Sequence, residues 1–158
     1  MVSKSNSSRR RASVDGTPAW TDPSCPVART LDLVGDRWSL LIVRDAMDGA
    51  RAFTDFQQRT GIARNILTDR LRRLVERGVL DRQAAESGKR QVYSLTPAGR
   101  DLFTVVVALR QWGERHAFFP GEDHSVLVDD TGQPIPLLAP VAANGATVDV
   151  ETTSVRKS

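Results

Sequence analysis

The sequence predicts a mainly α-helical domain of the α+β class, with one short β-hairpin between its helices. Three observations lead to this fold class. Apolar residues recur at helical spacing in several separate segments, glycines follow most of these segments, and one pair of strand-like runs lies between residues 79 and 95. At 158 residues the chain is long enough for one domain with a true core.

The first two helices are predicted between residues 26 and 49. Pro26 suits the first turn of a helix, and Gly35 can end that helix in the left-handed conformation. Asp36 is then expected to cap a second helix, which Gly49 closes. The apolar face of this second helix consists of Trp38, Leu41 and Ile42.

The next two helices are joined by a tight turn. Phe53 and Phe56 anchor the first of them and Gly61 ends it. Residues 62–65 form the turn to an arginine-rich helix, which Gly78 ends. Two helices joined in this way form a helix-turn-helix, whose second helix enters a DNA major groove in proteins that bind DNA.

The arginine-rich helix has two distinct faces. Leu67, Leu71, Leu74 and Val75 form the apolar stripe of a helix packed on a core. Between residues 59 and 77 there are six arginines and two acids, a net charge of +4. Taken alone, the polar face suits either solvent or nucleic acid. It holds Arg64, Asn65, Thr68, Asp69, Arg72 and Arg73, with Arg70 at its edge.

A hairpin and a last helix complete the order of elements. The runs VLDRQ and RQVYSL are separated by a polar loop with Gly88 at its tip, as in a β-hairpin wing. Thr96 and Pro97 then begin one long helix whose apolar series extends to Phe119. This order predicts a winged helix-turn-helix. Because the free face of the second helix meets DNA in that architecture, DNA binding becomes the favoured interpretation of the arginine-rich face.

Charge and composition divide the chain further. Residues 121–158 carry a net charge of −4 and residues 1–120 a net +7, which favours a polyanionic partner. The sequence therefore predicts a disordered basic arm at 1–22, the winged domain at 23–120, and a β-like extension or flexible tail at 121–158. No apolar stretch approaches the roughly 18 to 20 residues that cross a membrane. A single cysteine, Cys25, excludes an internal disulfide and favours a reducing cytoplasm.

Several motifs resemble one known family. The runs CPVARTLDLVGDRW, NILTDRLRRLVERG and YSLTPAGRDL occur in the order and spacing of the HxlR family of bacterial transcription regulators, which are relatives of the MarR group. The resemblance covers about residues 25–117. It implies a bacterial cytoplasmic protein that binds double-stranded DNA as a homodimer and reads a roughly palindromic operator. Repression is the expected outcome, since a dimer on a promoter blocks it.

The resemblance also assigns roles to particular positions. Asn65 and Thr68 are expected to approach bases, and Arg70 to hold phosphates; pairing of Arg70 with Asp69 or Glu76 is the alternative. Basic side chains of the wing would reach the DNA backbone or the minor groove. The predicted DNA-binding residues are Arg51, Arg64, Asn65, Thr68, Asp69, Arg70, Arg72, Arg73, Lys89 and Arg90.

The predicted dimer forms through the first and last helices. Their apolar side chains exceed what one small core needs, so a symmetric partner is expected to cover the surplus, unless the first two helices absorb it. The predicted interface residues are Val27, Leu31, Val105, Leu109 and Trp112.

Cys25 is a candidate redox sensor, because in several members of the family the cysteine of the Cys-Pro pair senses electrophiles or oxidants. Its place at a helix start would favour the thiolate, with Arg29 one turn on. The alternative is a small buried hydrophobe near the dimer seam. A small-molecule effector is a further candidate partner.

Other classes of function find less support in the sequence. Some relatives carry a zinc-ribbon-like extension, but Thr131 and Asn144 stand where cysteines would be needed, and His116 and His124 are too few for a structural site. No metal or other cofactor is therefore expected. An enzyme is not expected either, since no glycine-rich phosphate loop or metal spacing occurs. A winged-helix module that binds other proteins is the remaining alternative.

Overall fold

A computed structural model of the protein describes residues 19–86, 88 and 90–156. The chain forms two compact units that divide between Arg100 and Asp101. The first unit contains α1 (Pro26–Val34), α2 (Ser39–Met47), α3 (Phe53–Thr60), α4 (Arg64–Glu76), β1 (Leu80–Ala84), β2 (Gln91–Leu95) and all but the last residue of α5 (Pro97–Asp101). The second unit contains helix α6 (Phe103–His116) and the C-terminal segment.

Helix α1 begins at Pro26 as predicted and is followed by Gly35. The left-handed conformation predicted for Gly35 is wrong, because its φ is −78°. The glycine instead provides space: a β carbon there would lie 2.5 Å from the Leu31 carbonyl oxygen. A side chain at residue 35 would therefore push against the last turn of the helix.

The chain that precedes α1 is held on that helix. The backbone N–H and the hydroxyl of Thr21 both donate to the Asp32 carboxylate, at 2.8 Å and 2.8 Å. Of the predicted disordered arm at residues 1–22, residues 1–18 lie outside the described residues. Residues 19–22 are described, and among them Thr21 contacts α1 through Asp32.

Asp36 caps α2 as predicted, although the helix itself starts at Ser39. One Asp36 carboxylate oxygen, Oδ1, accepts hydrogen bonds from the backbone N–H groups of Trp38 (3.0 Å) and Ser39 (3.1 Å). Two otherwise unpaired donors at the helix start are satisfied in this way. Gly49, with φ 86°, follows the end of the helix.

Helices α3 and α4 form the predicted helix-turn-helix. Asp55 stabilises the start of α3 by accepting hydrogen bonds from the backbone N–H groups of Arg51 (3.0 Å) and Ala52 (2.8 Å). Gly61 ends α3 in the left-handed conformation, with φ 65°. Buried Ile62 lies in the turn, and α4 begins two residues later.

The core of the first unit lies between α2, α3, α4 and the hairpin. Phe56 is fully buried and meets the Tyr93 ring edge-on, with ring centroids 6.2 Å apart. The apolar stripe predicted for α4 is confirmed by burial of Leu67, Leu71 and Leu74. The other large side chains that are fully buried are Ile42, Val43 and Leu80.

The wing is an antiparallel pair in which Leu80 lies opposite Leu95 and Ala84 opposite Gln91. It is joined to the segment between α2 and α3. The Tyr93 N–H donates to the Arg51 carbonyl oxygen at 2.8 Å, and residue 52 forms an isolated β-bridge with residue 92. The hairpin is therefore tied to the helix-turn-helix by backbone hydrogen bonds.

A close backbone contact binds the exit of the wing to the end of the helix-turn-helix. The Thr96 hydroxyl donates to the carbonyl oxygens of Gly78 (2.6 Å) and Val79 (3.2 Å) and accepts from the Gly99 N–H (3.0 Å). Gly99 is buried, and a β carbon there would lie 2.2 Å from the Val79 carbonyl oxygen. Only glycine allows α5 to approach the chain this closely.

The single long helix predicted after Thr96 is divided into two. Leu102, with ψ −7°, separates α5 from α6 and departs from the ψ of about −42° that continues an α-helix. The helix also ends at His116, so Phe119 lies beyond it and is 83% exposed. The prediction that Phe119 belongs to the apolar face of this helix is therefore wrong.

The second unit combines α6 with the C-terminal segment. Gln111 is buried; its side-chain amide donates to the Pro136 carbonyl oxygen at 2.9 Å and accepts from the Leu138 N–H at 2.9 Å. These bonds lie within the second unit and join α6 to the C-terminal segment. The β-like character of the segment consists of two isolated bridges, Val128 to Pro134 and Val141 to Thr147.

Candidate nucleic-acid interface

The N-terminal half of the polar face of α4 is open to solvent. Arg64, Asn65 and Thr68 are all exposed, while Leu67 between them is fully buried. The Arg64 guanidinium lies 5.0 Å from the centre of the Phe53 ring, which limits where this cation can move. The Thr68 hydroxyl donates to the Arg64 carbonyl oxygen at 2.9 Å. Sequence and structure thus agree on which face is free.

Asn65 has the chemistry of a base-reading residue. Among the residues that the structure describes, its side-chain amide has no hydrogen-bond partner. An amide carries one acceptor and two donors, and this pattern matches the major-groove edge of adenine. Asn65 is therefore free to bind a base edge without breaking a bond within the protein.

The arginines further along the face are held by acids. Asp69 pairs with three of them: its carboxylate lies 2.8 Å from Arg70 Nη1, 2.7 Å from Arg72 Nη2 and 2.8 Å from Arg73 Nε. Arg72 also pairs with Glu76, with Nη1 2.6 Å from Oε1. The polar face is therefore a network of ion pairs, in which few of the arginines are free cations.

Asp69 stays ionised in this network. Burial opposes ionisation, but hydrogen bonds from Arg72 and Arg73 outweigh it, together with the charges of Arg73 and Arg70. The pKa of the Asp69 carboxyl is consequently below its usual 3.8.

Arg70 links two helices. Its Nε lies 3.0 Å from Asp36 Oδ1, so this arginine joins α4 to the cap of α2, and its side chain is only 22% exposed. Of the alternatives stated for Arg70, pairing with Asp69 is present, whereas Glu76 pairs with Arg72. A phosphate bound by Arg70 would have to compete with two carboxylates.

The same cluster perturbs Asp36. Burial raises the pKa of its carboxyl, but the Ser39 hydroxyl, the two capping N–H groups and then the Arg70 charge lower it more strongly. The net result is a pKa below the usual 3.8, which keeps the anion available to Arg70. No sequence signal indicated this partner for Arg70, because the two residues are far apart in the chain. The pairing of Arg72 with Glu76, in contrast, follows from their spacing on one helix.

The remaining predicted DNA contacts lie around the wing. Arg90 is exposed, and its carbonyl oxygen accepts from the Ala85 N–H at 2.7 Å, closing the loop. Arg51 is exposed beside β2, since its carbonyl oxygen is the acceptor for Tyr93. Lys89 lies outside the described residues. Arg51 therefore lies just before α3 in the chain and next to the hairpin in the structure.

Cys25 occupies the predicted helix start. It is the N-cap of α1, is half-buried, and its sulfur accepts from the Ala28 N–H at 3.5 Å. Arg29 is turned to the preceding segment: its Nε donates to the Pro23 carbonyl oxygen at 2.8 Å, and its guanidinium lies 5.0 Å from the Trp20 ring centre.

Apolar side chains predicted for the dimer interface are exposed in each unit. In the first unit, Val27 is 67% and Leu31 59% exposed. In the second unit, Val105, Leu109 and Trp112 are 39%, 52% and 59% exposed. Runs of large apolar side chains open to solvent on a helix are typical of surfaces that a partner covers.

Two further observations concern metals and membranes. Within residues 19–86, 88 and 90–156, no group of three or more His, Cys, Asp or Glu is arranged to hold a metal ion. In the same part of the chain, no helix has the length and apolar character required to cross a membrane.

Comparison with known proteins gives a consistent result. The model of the HxlR-like helix-turn-helix family matches residues 33–118. An uncharacterised HTH-type transcriptional regulator of Mycobacterium tuberculosis, Rv3095, is 50% identical over 91 residues, which are 57% of this chain and 58% of the relative. The match thus spans little more than half of that relative. YdeP of Bacillus subtilis, also named an HTH-type transcriptional regulator, is 35% identical over 94 residues, covering 58% of this chain and 73% of its own.

Solved structures extend the similarity over more of the chain. The crystal structure of PA1607, proposed to be a transcription factor, is 51% identical with a TM-score of 0.83, and the match covers 87% of this chain and 97% of that one. The redox regulator HypR in its reduced form is 32% identical with a TM-score of 0.55, over 59% of this chain and 94% of its own. The winged helix-turn-helix predicted from the sequence is therefore confirmed.

Proposed function

The chain belongs to the HxlR-like helix-turn-helix family, and from this premise we propose that it is a sequence-specific DNA-binding transcriptional regulator of the bacterial cytoplasm. One observation carries the proposal: α4 buries its leucines and leaves Arg64, Asn65 and Thr68 exposed on the opposite face. A helix-turn-helix followed by a wing presents that face to the major groove.

The division of roles follows from chemistry and exposure. Asn65 and Thr68 are proposed to contact base edges, and Arg64 a phosphate. Arg51 and the basic side chains of the wing, Lys89 and Arg90, are proposed to contact the backbone on either side. Arg70 is assigned a different role from the one expected: because it pairs with Asp36 and Asp69, it holds α4 on α2 and contacts phosphate only secondarily.

Binding of DNA is tested by fluorescence-anisotropy titration. A duplex from the region upstream of the gene is compared with a scrambled duplex of equal length, at several salt concentrations. We expect the native duplex to bind at least about 10³-fold more tightly. The logarithm of its binding constant should fall with that of salt, by about 0.9 for each phosphate contacted. Asn65→Ala should weaken native binding by about 5- to 150-fold, the equivalent of about 1–3 kcal/mol for a base contact, and leave scrambled binding unchanged.

Asn144→Ala is the matched control, since it makes the same substitution in the C-terminal segment. It should change neither the affinity for the native duplex nor that for the scrambled duplex. Equal, weak and salt-insensitive binding of both duplexes by the unmodified protein contradicts the DNA-binding proposal. That result favours the alternative, a winged-helix module that binds other proteins.

We further propose that the protein acts as a homodimer on a palindromic operator and represses by occupying a promoter. A second copy would cover the exposed apolar side chains of α1 and α6. A symmetric dimer presents two copies of α4, which matches two half-sites on DNA.

Leu109→Glu should convert the dimer to a monomer. Covering an unpaired carboxylate in an apolar interface costs several kcal/mol, so the dimer dissociation constant should rise at least about 100-fold. Sedimentation velocity at micromolar protein measures the change. Val150→Glu, which introduces the same charge at a residue that is 81% exposed, should leave the dimer intact. A dimer that survives Leu109→Glu contradicts this interface.

A response to oxidants or electrophiles is proposed for Cys25, because its sulfur lies at the start of a helix and because the similar protein HypR is a redox regulator. With one cysteine per chain, the products available are a cross-subunit disulfide, a mixed disulfide or an alkylated thiol. Repeating the titration with a quinone-treated protein tests this. Native binding should change for the wild type and not for Cys25→Ser; identical behaviour of the two contradicts sensing.

A further inference from the structure

The position of Asp69 poses a problem for a surface that binds a polyanion. It lies one turn after Asn65 on the exposed side of α4, so its carboxylate belongs to the same face. A free carboxylate there would repel phosphates. The structure instead surrounds Asp69 with Arg70, Arg72 and Arg73.

The three arginines are bound through different nitrogens. Arg72 uses both terminal nitrogens, Nη2 toward Asp69 at 2.7 Å and Nη1 toward Glu76 at 2.6 Å. Arg73 is bound through Nε, at 2.8 Å from Asp69. Within the described part of the chain, its two terminal nitrogens have no partner, and its side chain is 44% exposed.

This difference gives the two neighbouring arginines opposite properties. Arg72 lies between two carboxylates, so each of its terminal nitrogens is already paired with an acid. The guanidinium of Arg73 is planar and held at one edge, which leaves the other donors in a fixed fork suited to a phosphate. Asp69 is the one acid common to both arrangements.

We propose that Asp69 is a positioning and specificity-determining residue, which withholds Arg72 from phosphates and orients Arg73 toward them. This role rests on the proposed function of α4 as the DNA-reading helix. Non-specific binding grows with each basic side chain that can adapt to any phosphate, because that contact carries no sequence information. An arginine already held in place binds one position of the backbone at a smaller cost in entropy. Asp69 thus lowers binding to arbitrary DNA more than binding to the operator.

The test is the duplex titration with Asp69→Asn in the full chain. Removing the charge frees the Nη2 group of Arg72 and loosens Arg73, so scrambled binding should strengthen about tenfold and its salt dependence should steepen by about 0.9, the value for one added phosphate contact. The ratio of native to scrambled affinity should fall about tenfold. Asp69→Glu should restore most of the ratio. Glu76→Gln, which frees one nitrogen of Arg72 but leaves Arg73 paired with Asp69, should shift scrambled binding in the same direction and by less.

Asp130→Asn is the matched control, because it makes the same charge change at an exposed residue of the C-terminal segment and should leave the ratio unchanged. Circular dichroism of each variant verifies that α4 is intact. An unchanged ratio for Asp69→Asn overturns the proposal. So does a loss of native binding with scrambled binding constant, since Asp69 would then read a base directly. Equal binding of both duplexes by the wild type overturns the proposed function itself. This result needs no variant, so it is distinct from a failure of the proposal for Asp69.

Discussion

Phe56→Ala is expected to lower the free energy of unfolding by about 3–5 kcal/mol, the usual cost of emptying a fully buried aromatic site. Phe56 is 0% exposed and meets Tyr93 edge-on, so its ring joins α3 to the wing. The cavity would lie at the centre of the first unit. A domain that is stable by about 5–15 kcal/mol would lose a large part of that margin.

Urea unfolding followed by circular dichroism and by tryptophan fluorescence measures this loss, and coincidence of the two signals tests for a two-state transition. Phe119→Ala is the matched control, because that ring is 83% exposed; its effect should stay within about 0.5 kcal/mol. Comparable losses for the two variants would contradict the assignment of Phe56 to the core.

Gly99→Ala and Gly113→Ala are expected to change stability in opposite directions. At Gly99 the added methyl would lie 2.2 Å from the Val79 carbonyl oxygen and 3.0 Å from Leu95 Cδ2. Because the nearer atom is backbone, α5 or the chain after α4 must move, at a cost of about 1–3 kcal/mol or more. At Gly113 nothing lies within 4 Å of the added methyl. Alanine should therefore stabilise α6 there by about 0.5–1 kcal/mol.

Thermal melting measures the change in stability of both variants, and the two can be compared because the substitution is identical and both glycines lie in helices. A lower melting temperature for Gly99→Ala with a higher one for Gly113→Ala is the expected pair of results. Equal shifts would show that the contact between Gly99 and Val79 does not restrict the fold. Gly99→Ala should also weaken DNA binding, because the contact sets the wing against the end of α4.

The elements that could be predicted from the sequence are those with local signals. The stripe of Leu67, Leu71 and Leu74 predicts α4 because spacing alone decides which side of a helix is buried. Gly61, Gly78 and the polar loop at Gly88 mark the turns for the same reason: their left-handed φ values are a property of the residue. The winged order of elements follows from these signals together.

Other features depend on residues that meet only in the folded chain. Gly35 has the residue type of a left-handed cap, but its role is steric and set by Leu31. The division of the last helix at Leu102 has no proline or glycine to announce it. The attachment of the C-terminal segment to α6 depends on bonds from Gln111 to residues 136 and 138, more than 20 positions away.

The candidate site shows the same contrast. The polar face of α4, including Asn65 and Thr68, was predictable because helical spacing places its members together. Their electrostatic state was not, because it depends on geometry. Asp36 reaches Arg70 from the start of another helix. Asp69 contacts Arg72 at a terminal nitrogen and Arg73 at Nε, and this difference leaves the terminal nitrogens of Arg73 available. A count of positive charge along α4 overstates the number of available cations.

The closed base of the wing loop has a consequence for how relatives of this protein can diverge. The Ala85 N–H donates to the Arg90 carbonyl oxygen, so the pairing of the two strands is complete at this hydrogen bond. Doubling the length of a flexible loop costs only about 0.6 kcal/mol in closure entropy. Insertions between Ala85 and Arg90 are therefore expected to lengthen the hairpin or change its charge without disturbing the core.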